Sequence, residues 1–307
     1  MQQGIYHVPV MLQQVIEGLK INPSGVYVDC TFGGGGHSKA ILNKLDDTGK
    51  LIAFDQDEDA KRNLIAEDER IIFIPQNFRH LQKFLRLHKI TKVDGILADL
   101  GVSSHQFDKV ERGFSTRFNA AMDMRMDQRQ ELKAIDVLKN YPEEKLHKMF
   151  EQYGEVTNSK TLARTIVQMR NTTSMQTITD FKNAVHHTVK GNPNKYFAQV
   201  FQALRIEVNA ELEALKEMLQ QSLDILKEDG RIAIITFHSL EDRIVKNFFK
   251  GIDEESRDEV YGTKLKNPFN IITKKPITPD EEEIKKNSRA RSAKLRIAQK
   301  NISENSI

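Results

Sequence analysis

Two periodicities alternate along the chain. From Val8 onward apolar residues fall at 8, 11, 12, 15, 16 and 19, the stripe of an amphipathic helix. Short continuous apolar runs follow: Val26-Tyr27-Val28 before Asp29, Lys50 to Phe54 before Asp55, Ile71 to Ile74 before Pro75, Val93 to Ala98 before Asp99, and Arg231 to Phe237 before His238. Runs without alternation fit strands buried on both faces, as in a parallel sheet covered by helices. Asn270-Ile271-Ile272-Thr273 and Ala293 to Ala298 are expected to close the sheet as an antiparallel pair.

Between the fourth and fifth of these runs the period becomes helical. The spacing predicts helices over 131–140, 143–153, 158–170 and 178–189, a loop at Gly191-Asn192-Pro193-Asn194, and one long helical stretch from Phe197 to Leu226, closed by Asp229-Gly230. That is too much helix for one crossover connection. The expectation is therefore an α/β fold: a doubly wound, Rossmann-like sheet with an inserted all-helical domain. Residues 1–106 and 201–307 would form the sheet core and 107–200 the insertion.

The first candidate chemistry lies at the turn after the first strand, Asp29-Cys30-Thr31-Phe32-Gly33-Gly34-Gly35-Gly36-His37, which leads into a helical pattern from Ser38. Glycines there permit a tight turn and the approach of a ligand across the strand end. Asp55 follows about twenty residues later, where an acid accepts both hydroxyls of a ribose. This spacing serves a dinucleotide or S-adenosylmethionine. Asp29 separates them, because an acid beside the glycines repels a pyrophosphate and attracts the sulfonium and ammonium of the methyl donor.

Other positions carry two readings each. Phe78, after the third strand, is placed either to lie against an adenine ring or to fill the core. His7 is a ligand contact or an exposed or capping residue. Asp99-Leu100-Gly101-Val102-Ser103-Ser104 is a second cluster at a strand end, and His238 marks a third, with Ser239 and Asp242 spaced as a helix cap. Glu281-Glu282-Glu283 and then Lys285, Lys286, Arg289 and Arg291 form a solvated surface or a grip for phosphates. Asp123-Met124-Arg125-Met126-Asp127 is either a phosphate contact or a local salt-bridged turn with buried methionines.

Composition narrows the classes. The 307 residues are 39% hydrophobic, enough for a sizeable core, and a net charge of +3 permits a nucleic-acid partner without requiring one. A single cysteine, Cys30, excludes an internal disulfide framework and is expected to be a buried structural thiol. No apolar run is long enough for a membrane span and no signal-peptide core opens the chain, so a cytoplasmic protein without a membrane partner is expected. No convincing metal-ligand spacing is present. A homodimer is left open.

In order along the chain, His7-Val8-Pro9-Val10, Asp29 to Ser38, Asp99 to Ser104, Glu111-Arg112-Gly113-Phe114-Ser115, Asp123 to Asp127, Phe201-Gln202-Ala203-Leu204-Arg205-Ile206, Phe237 to Arg243 and Arg289-Ala290-Arg291-Ser292 resemble the ribosomal RNA small subunit methyltransferase H family, the MraW-type enzymes. The resemblance implies a class I methyltransferase acting with S-adenosylmethionine on the exocyclic amine of a cytidine in 16S ribosomal RNA, free or within the small subunit. It implies donor-binding positions at Gly35, Gly36, His37, Asp55, Phe78, Asp99 and Gln106. His105 replaces a proline common in the family, and Cys30 and Gly34 stand where its members vary.

Catalysis is assigned to Asp99, supported by Ser103, Ser104 and His238, and RNA contact to Arg112, Arg117, Arg125, Arg129, Arg289 and Arg291. Two other classes fit less well. A DNA or free-nucleotide amino-methyltransferase is disfavoured in its DNA form because Asp-Leu-Gly-Val replaces the usual Pro-Pro-aromatic motif. A non-catalytic donor-binding module would not need Asp99 or an extended basic insertion.

Overall fold

The computed structural model describes residues 9–64, 68–252 and 267–302, so His7 lies outside the described residues. The chain divides into two compact units: one up to Gly101 and from Glu213 onward, the other Val102–Leu212.

The first unit is built on seven strands: β1 (Val26–Asp29), β2 (Lys50–Phe54), β3 (Ile71–Ile74), β4 (Val93–Asp99), β5 (Leu226–Thr236), β6 (Phe269–Ile271) and β7 (Lys294–Lys300). Their order is β3-β2-β1-β4-β5-β7-β6, with the first five parallel and β7 antiparallel to both neighbours. The expected closing pair is therefore present. In β5 the register jumps from Val93↔Leu226 to Gly95↔Arg231, and residues 227–230 bulge out around Asp229, whose φ is 59°. Continuous pairing begins at Arg231, where the apolar run begins.

Strand residues of alternate parity feed two cores, as the period of two requires. Tyr27, Leu51, Leu97, Ala233 and Ile235 face α1 (Leu12–Leu19) and α2 (Gly36–Leu42). Val28, Ile52, Ile96, Ile232 and Ile234 pack with residues of α3 (Leu81–Leu87) and with Leu215, Met218 and Leu219. Burial on both faces explains why the strands read as unbroken apolar runs.

The Val102–Leu212 unit comprises α4 (Ser104–Asp108), α5 (Ala134–Asn140), α6 (Glu143–Gly154), α7 (Ser159–Met169), α8 (Ile178–Ala184) and α9 (Pro193–Asn209), around Leu138, Phe150, Leu162, Phe181 and Phe201. Two expectations are corrected. Helix α9 starts at Pro193 rather than 197, because Asn192 caps it, accepting from the Asn194 and Lys195 N–H groups, and proline suits the first helical position. The long stretch is two helices, α9 and α10 (Glu211–Ile225), divided at Ala210, which is left-handed with φ 47°. The buried Asn209 side chain there accepts from Met126 N–H at 2.7 Å and donates to the carbonyls of Met124 at 2.8 Å and Arg205 at 2.9 Å. Those bonds tie the end of α9 to a segment more than eighty residues away.

The remaining helices are α11 (Ser239–Phe249) and α12 (Glu281–Lys286). No helix among the described residues is long and apolar enough to cross a membrane.

Gly95 in β4 lies opposite Tyr27, and a Cβ there would stand 2.7 Å from that fully buried ring. Gly95→Ala should therefore lower unfolding stability by about 1–3 kcal/mol, the cost of overpacking, read as a lower urea midpoint with unchanged slope.

Candidate active site

Strand order reverses between β1 and β4, and in such sheets ligands bind beyond the carboxyl ends of the strands at that point. Three acids stand there: Asp29 ends β1, Asp55 follows β2, and Asp99 ends β4. Asp29 is buried, accepting from Ser38 Oγ at 2.7 Å and Thr31 N–H at 3.0 Å. Asp55 accepts from Gly33 N–H at 2.7 Å and Asp57 N–H at 2.8 Å. The Asp99 N–H donates to Thr31 Oγ1 at 2.7 Å, tying the ends of β1 and β4 together, while its Oδ1 is buried without a hydrogen-bond partner among the described residues.

The electrostatics follow from this crowding. Burial, with the Asp29 and Glu241 charges adding to it, pushes the Asp99 carboxyl up to about 8. Burial, aided by Asp57 and Asp29, raises Asp55 to about 7 against the pull of its two N–H partners. Asp29 is raised as well, again chiefly by burial. Burial lowers His37, favouring its neutral form. His37 Nε2 lies 3.0 Å from the Val10 carbonyl, which can only accept, so Nε2 carries the proton and Nδ1 presents its lone pair 3.7 Å from Asp99 Oδ2.

The loop glycines divide by role. Gly33 and Gly35 are left-handed, with φ 50° and 74°, and Gly35 caps α2. At Gly36 a Cβ would stand 2.2 Å from Pro9 Cγ, so this glycine makes room for the chain's own N-terminal segment. Around Gly34 there is open space. Phe78 is half-buried, packed on the sheet core just after Asn77, whose side chain donates to Gln56 Oε1 at 2.8 Å beside Asp55.

At the end of β5 the helix cap is one residue earlier than expected. His238, not Ser239, caps α11, and the partner at the third position is Glu241, not Asp242. Glu241 is buried and accepts from Phe237 N–H at 2.8 Å; its Oε1 is 3.0 Å from His238 Nε2, out of line for a hydrogen bond. Asp242 instead receives the Arg296 guanidinium at 2.7 and 3.2 Å.

The remaining candidates belong to the Val102–Leu212 unit or to the surface. Ser103 and Gln106 form the capping box of α4, with bonds of 3.2 and 3.1 Å, and Ser104 opens that helix. Arg112 is buried and donates to the carbonyls of Arg125 and Met126. Arg125 grips Asp123 through Nε and Nη2 and gives Nη1 to the Gln128 and Gln130 carbonyls, and Met124 and Met126 are buried: the salt-bridged turn of the second reading. Arg129 pairs with Asp127 at 2.8 Å. Arg117, Arg289 and Arg291 are exposed.

Sequence reasoning missed Thr31, Ser38, Asn63 and Glu241. Thr31 and Glu241 had local signals, two residues after Asp29 and three after His238. Asn63, which donates to the Gly33 carbonyl at 2.9 Å, had none.

The sheet order and its acid-lined strand ends define a class I methyltransferase fold. The family model for the MraW methylase family matches residues 4–301, and the chain belongs to that family. The ribosomal RNA small subunit methyltransferase H of Bacteroides thetaiotaomicron is 52% identical over 298 residues, 96% of this chain and 97% of that protein. The protein of the same name from Flavobacterium johnsoniae is 53% identical over 298 residues, 96% of this chain and 98% of its own. The crystal structure of an rRNA methylase from Streptococcus thermophilus is far more distant: 12% identity, TM-score 0.42, with 95% of this chain and 94% of that one covered.

Asp55 and Asp99 hold protons in the folded state that the unfolded chain, with carboxyls near 4, releases. The stability they contribute is full below about pH 4 and is lost as pH rises through about 7 and 8. The melting temperature of the free protein should fall across that interval. A cationic ligand favours the ionised carboxylates, so its affinity should rise over the same interval with proton release, checked by calorimetry in buffers of different ionisation enthalpy.

Proposed function

We propose that this protein transfers the methyl group of S-adenosylmethionine to the N4 amine of a cytidine in small-subunit (16S) ribosomal RNA, acting in the cytoplasm. Family membership supports methyl transfer, and the names of the relatives at 52–53% identity support the ribosomal RNA substrate. The observation that carries the donor assignment is the set of three crowded carboxylates, Asp29, Asp55 and Asp99, raised above their ordinary range. A pyrophosphate would be repelled there, and a cation relieves the repulsion. The buried, unpartnered Asp99 Oδ1 fits a group that brings a donor hydrogen with positive charge.

In this reading Asp55 accepts the ribose hydroxyls with the lone pairs left by Gly33 and Asp57, Phe78 lies against the adenine, and Gly35, Gly36, His37 and Gln106 complete the donor site. The bound donor supplies an electrophilic methyl on a sulfonium. The cytosine amine is a poor nucleophile because its lone pair is delocalised into the ring, so placement and removal of its proton matter. Asp99 accepts a hydrogen bond from the amine as charge develops on nitrogen. Ser103, Ser104 and His238 assist placement, and the helical insertion holds the RNA with the target base out of its stack.

Transfer of labelled methyl to small-subunit RNA, followed by nucleoside digestion, tests the activity. Asp99→Ala should lower saturated turnover about a hundredfold or more, because it removes an acceptor acting in the transition state. A rise in the donor Michaelis constant with turnover intact would reduce Asp99 to a binding residue.

A further inference from the structure

Among the described residues, the large apolar side chains left exposed include one aromatic, Phe118 in the helical unit, with 53% of its surface exposed. The segment that carries it is held on both sides. Phe114 and Ser115 are buried before it, and Ser115 Oγ accepts from Arg117 N–H at 3.3 Å. Lys182 Nζ donates to the Thr116 carbonyl at 3.3 Å. After it, Asn119 Oδ1 accepts from Thr179 N–H at 3.0 Å, the Ala120 carbonyl accepts from Ile178 N–H at 2.9 Å, and Met122 is buried. The ring stacks on no other ring among the described residues and leaves about half of its surface to solvent.

Arg117, its neighbour, is also unspent. The side chains of Arg112, Arg125 and Arg129 are committed to carbonyls or carboxylates, whereas the exposed Arg117 guanidinium bonds to none of the described residues. An exposed ring and an exposed guanidinium on consecutive residues of an anchored loop match the two surfaces of a single-stranded nucleic acid, the base face and the phosphate.

We propose that Phe118 is a stacking platform for an unpaired base of the RNA substrate, with Arg117 neutralising a nearby phosphate. This rests on the RNA methyltransferase reading and adds to it a substrate-positioning residue. The rigid loop means that little conformational entropy is lost when the base is taken up.

The test uses the full chain, a fluorescent fragment of small-subunit ribosomal RNA and S-adenosylmethionine. Phe118→Ala should weaken RNA binding by roughly 5- to 100-fold, the loss of one stacked base, and raise the RNA Michaelis constant. Donor affinity by calorimetry should stay unchanged, which also reports intact folding. Phe118→Trp should retain binding and Phe118→Leu should lose it, since stacking needs a ring. Arg117→Gln should reduce the slope of log affinity against log salt by about 0.7, the contribution of one phosphate on a single strand, while Phe118→Ala leaves that slope alone.

Wild-type RNA affinity in Phe118→Ala, or in Phe118→Leu, overturns the proposal while leaving the function standing. If Phe118→Ala changes only the oligomeric state in size-exclusion chromatography, the ring is a contact between copies of this chain and the proposal fails. If the wild-type protein neither binds nor methylates the RNA, the functional reading fails first and this one with it.

Discussion

Three carboxylates gathered at the reversal point of one sheet set the terms for everything around them. Asp29, Asp55 and Asp99 each sit where burial opposes charge, and Asp29 raises both of the others. Such a cluster persists only if its members are held apart by donors or hold protons, and both occur. Ser38 and Thr31 serve Asp29, and the Gly33 and Asp57 amides serve Asp55. Asp99, with one oxygen unpartnered, is displaced further upward than Asp55. The free protein is thus poised against a cation: binding one converts an electrostatic cost into an attraction without moving the backbone.

The glycine loop serves this arrangement less by clearing space for a ligand than by fixing the loop against its own chain. Gly36 admits Pro9, and the next residue but one, Met11, takes a left-handed conformation with its N–H bonded to Glu283 Oε1 at 2.7 Å. Val10, between them, supplies the carbonyl that sets the His37 tautomer. A contact from α12 therefore reaches His37 through the single peptide unit that joins Val10 to Met11. The lone pair of Nδ1 faces Asp99 because of what lies on the opposite side of the ring.

The parts of this structure legible in the sequence were those dictated locally or by burial on both faces. Apolar runs marked the strands, and the acids and glycines at their ends marked the crevice. What escaped depends on partners far along the chain. The break at Ala210 follows from Asn209 docking onto Met124 and Met126, and no window around 210 contains that information. The cap at His238 was misjudged by one residue because Ser239-Asp242 and His238-Glu241 offer the same spacing. The choice went to Glu241, whose carboxylate also reaches the Phe237 N–H.

Counting arginines misleads for a related reason. In Asp68-Glu69-Arg70, Asp123-Met124-Arg125 and Asp127-Gln128-Arg129, each arginine folds back onto the aspartate two residues earlier in a two-pronged pair of 2.7 to 3.0 Å. The Asp-x-Arg spacing is thus a local sign of a guanidinium already neutralised. Such a group releases few counterions on meeting a phosphate, because its own aspartate must first be displaced. Arg117 has Ser115 at the corresponding place, and Ser115 spends its oxygen on the backbone rather than on the guanidinium. The basic character available to an RNA is therefore narrower than the count of arginines suggests, and Arg117 is next in sequence to the one aromatic side chain that the described fold leaves in solvent.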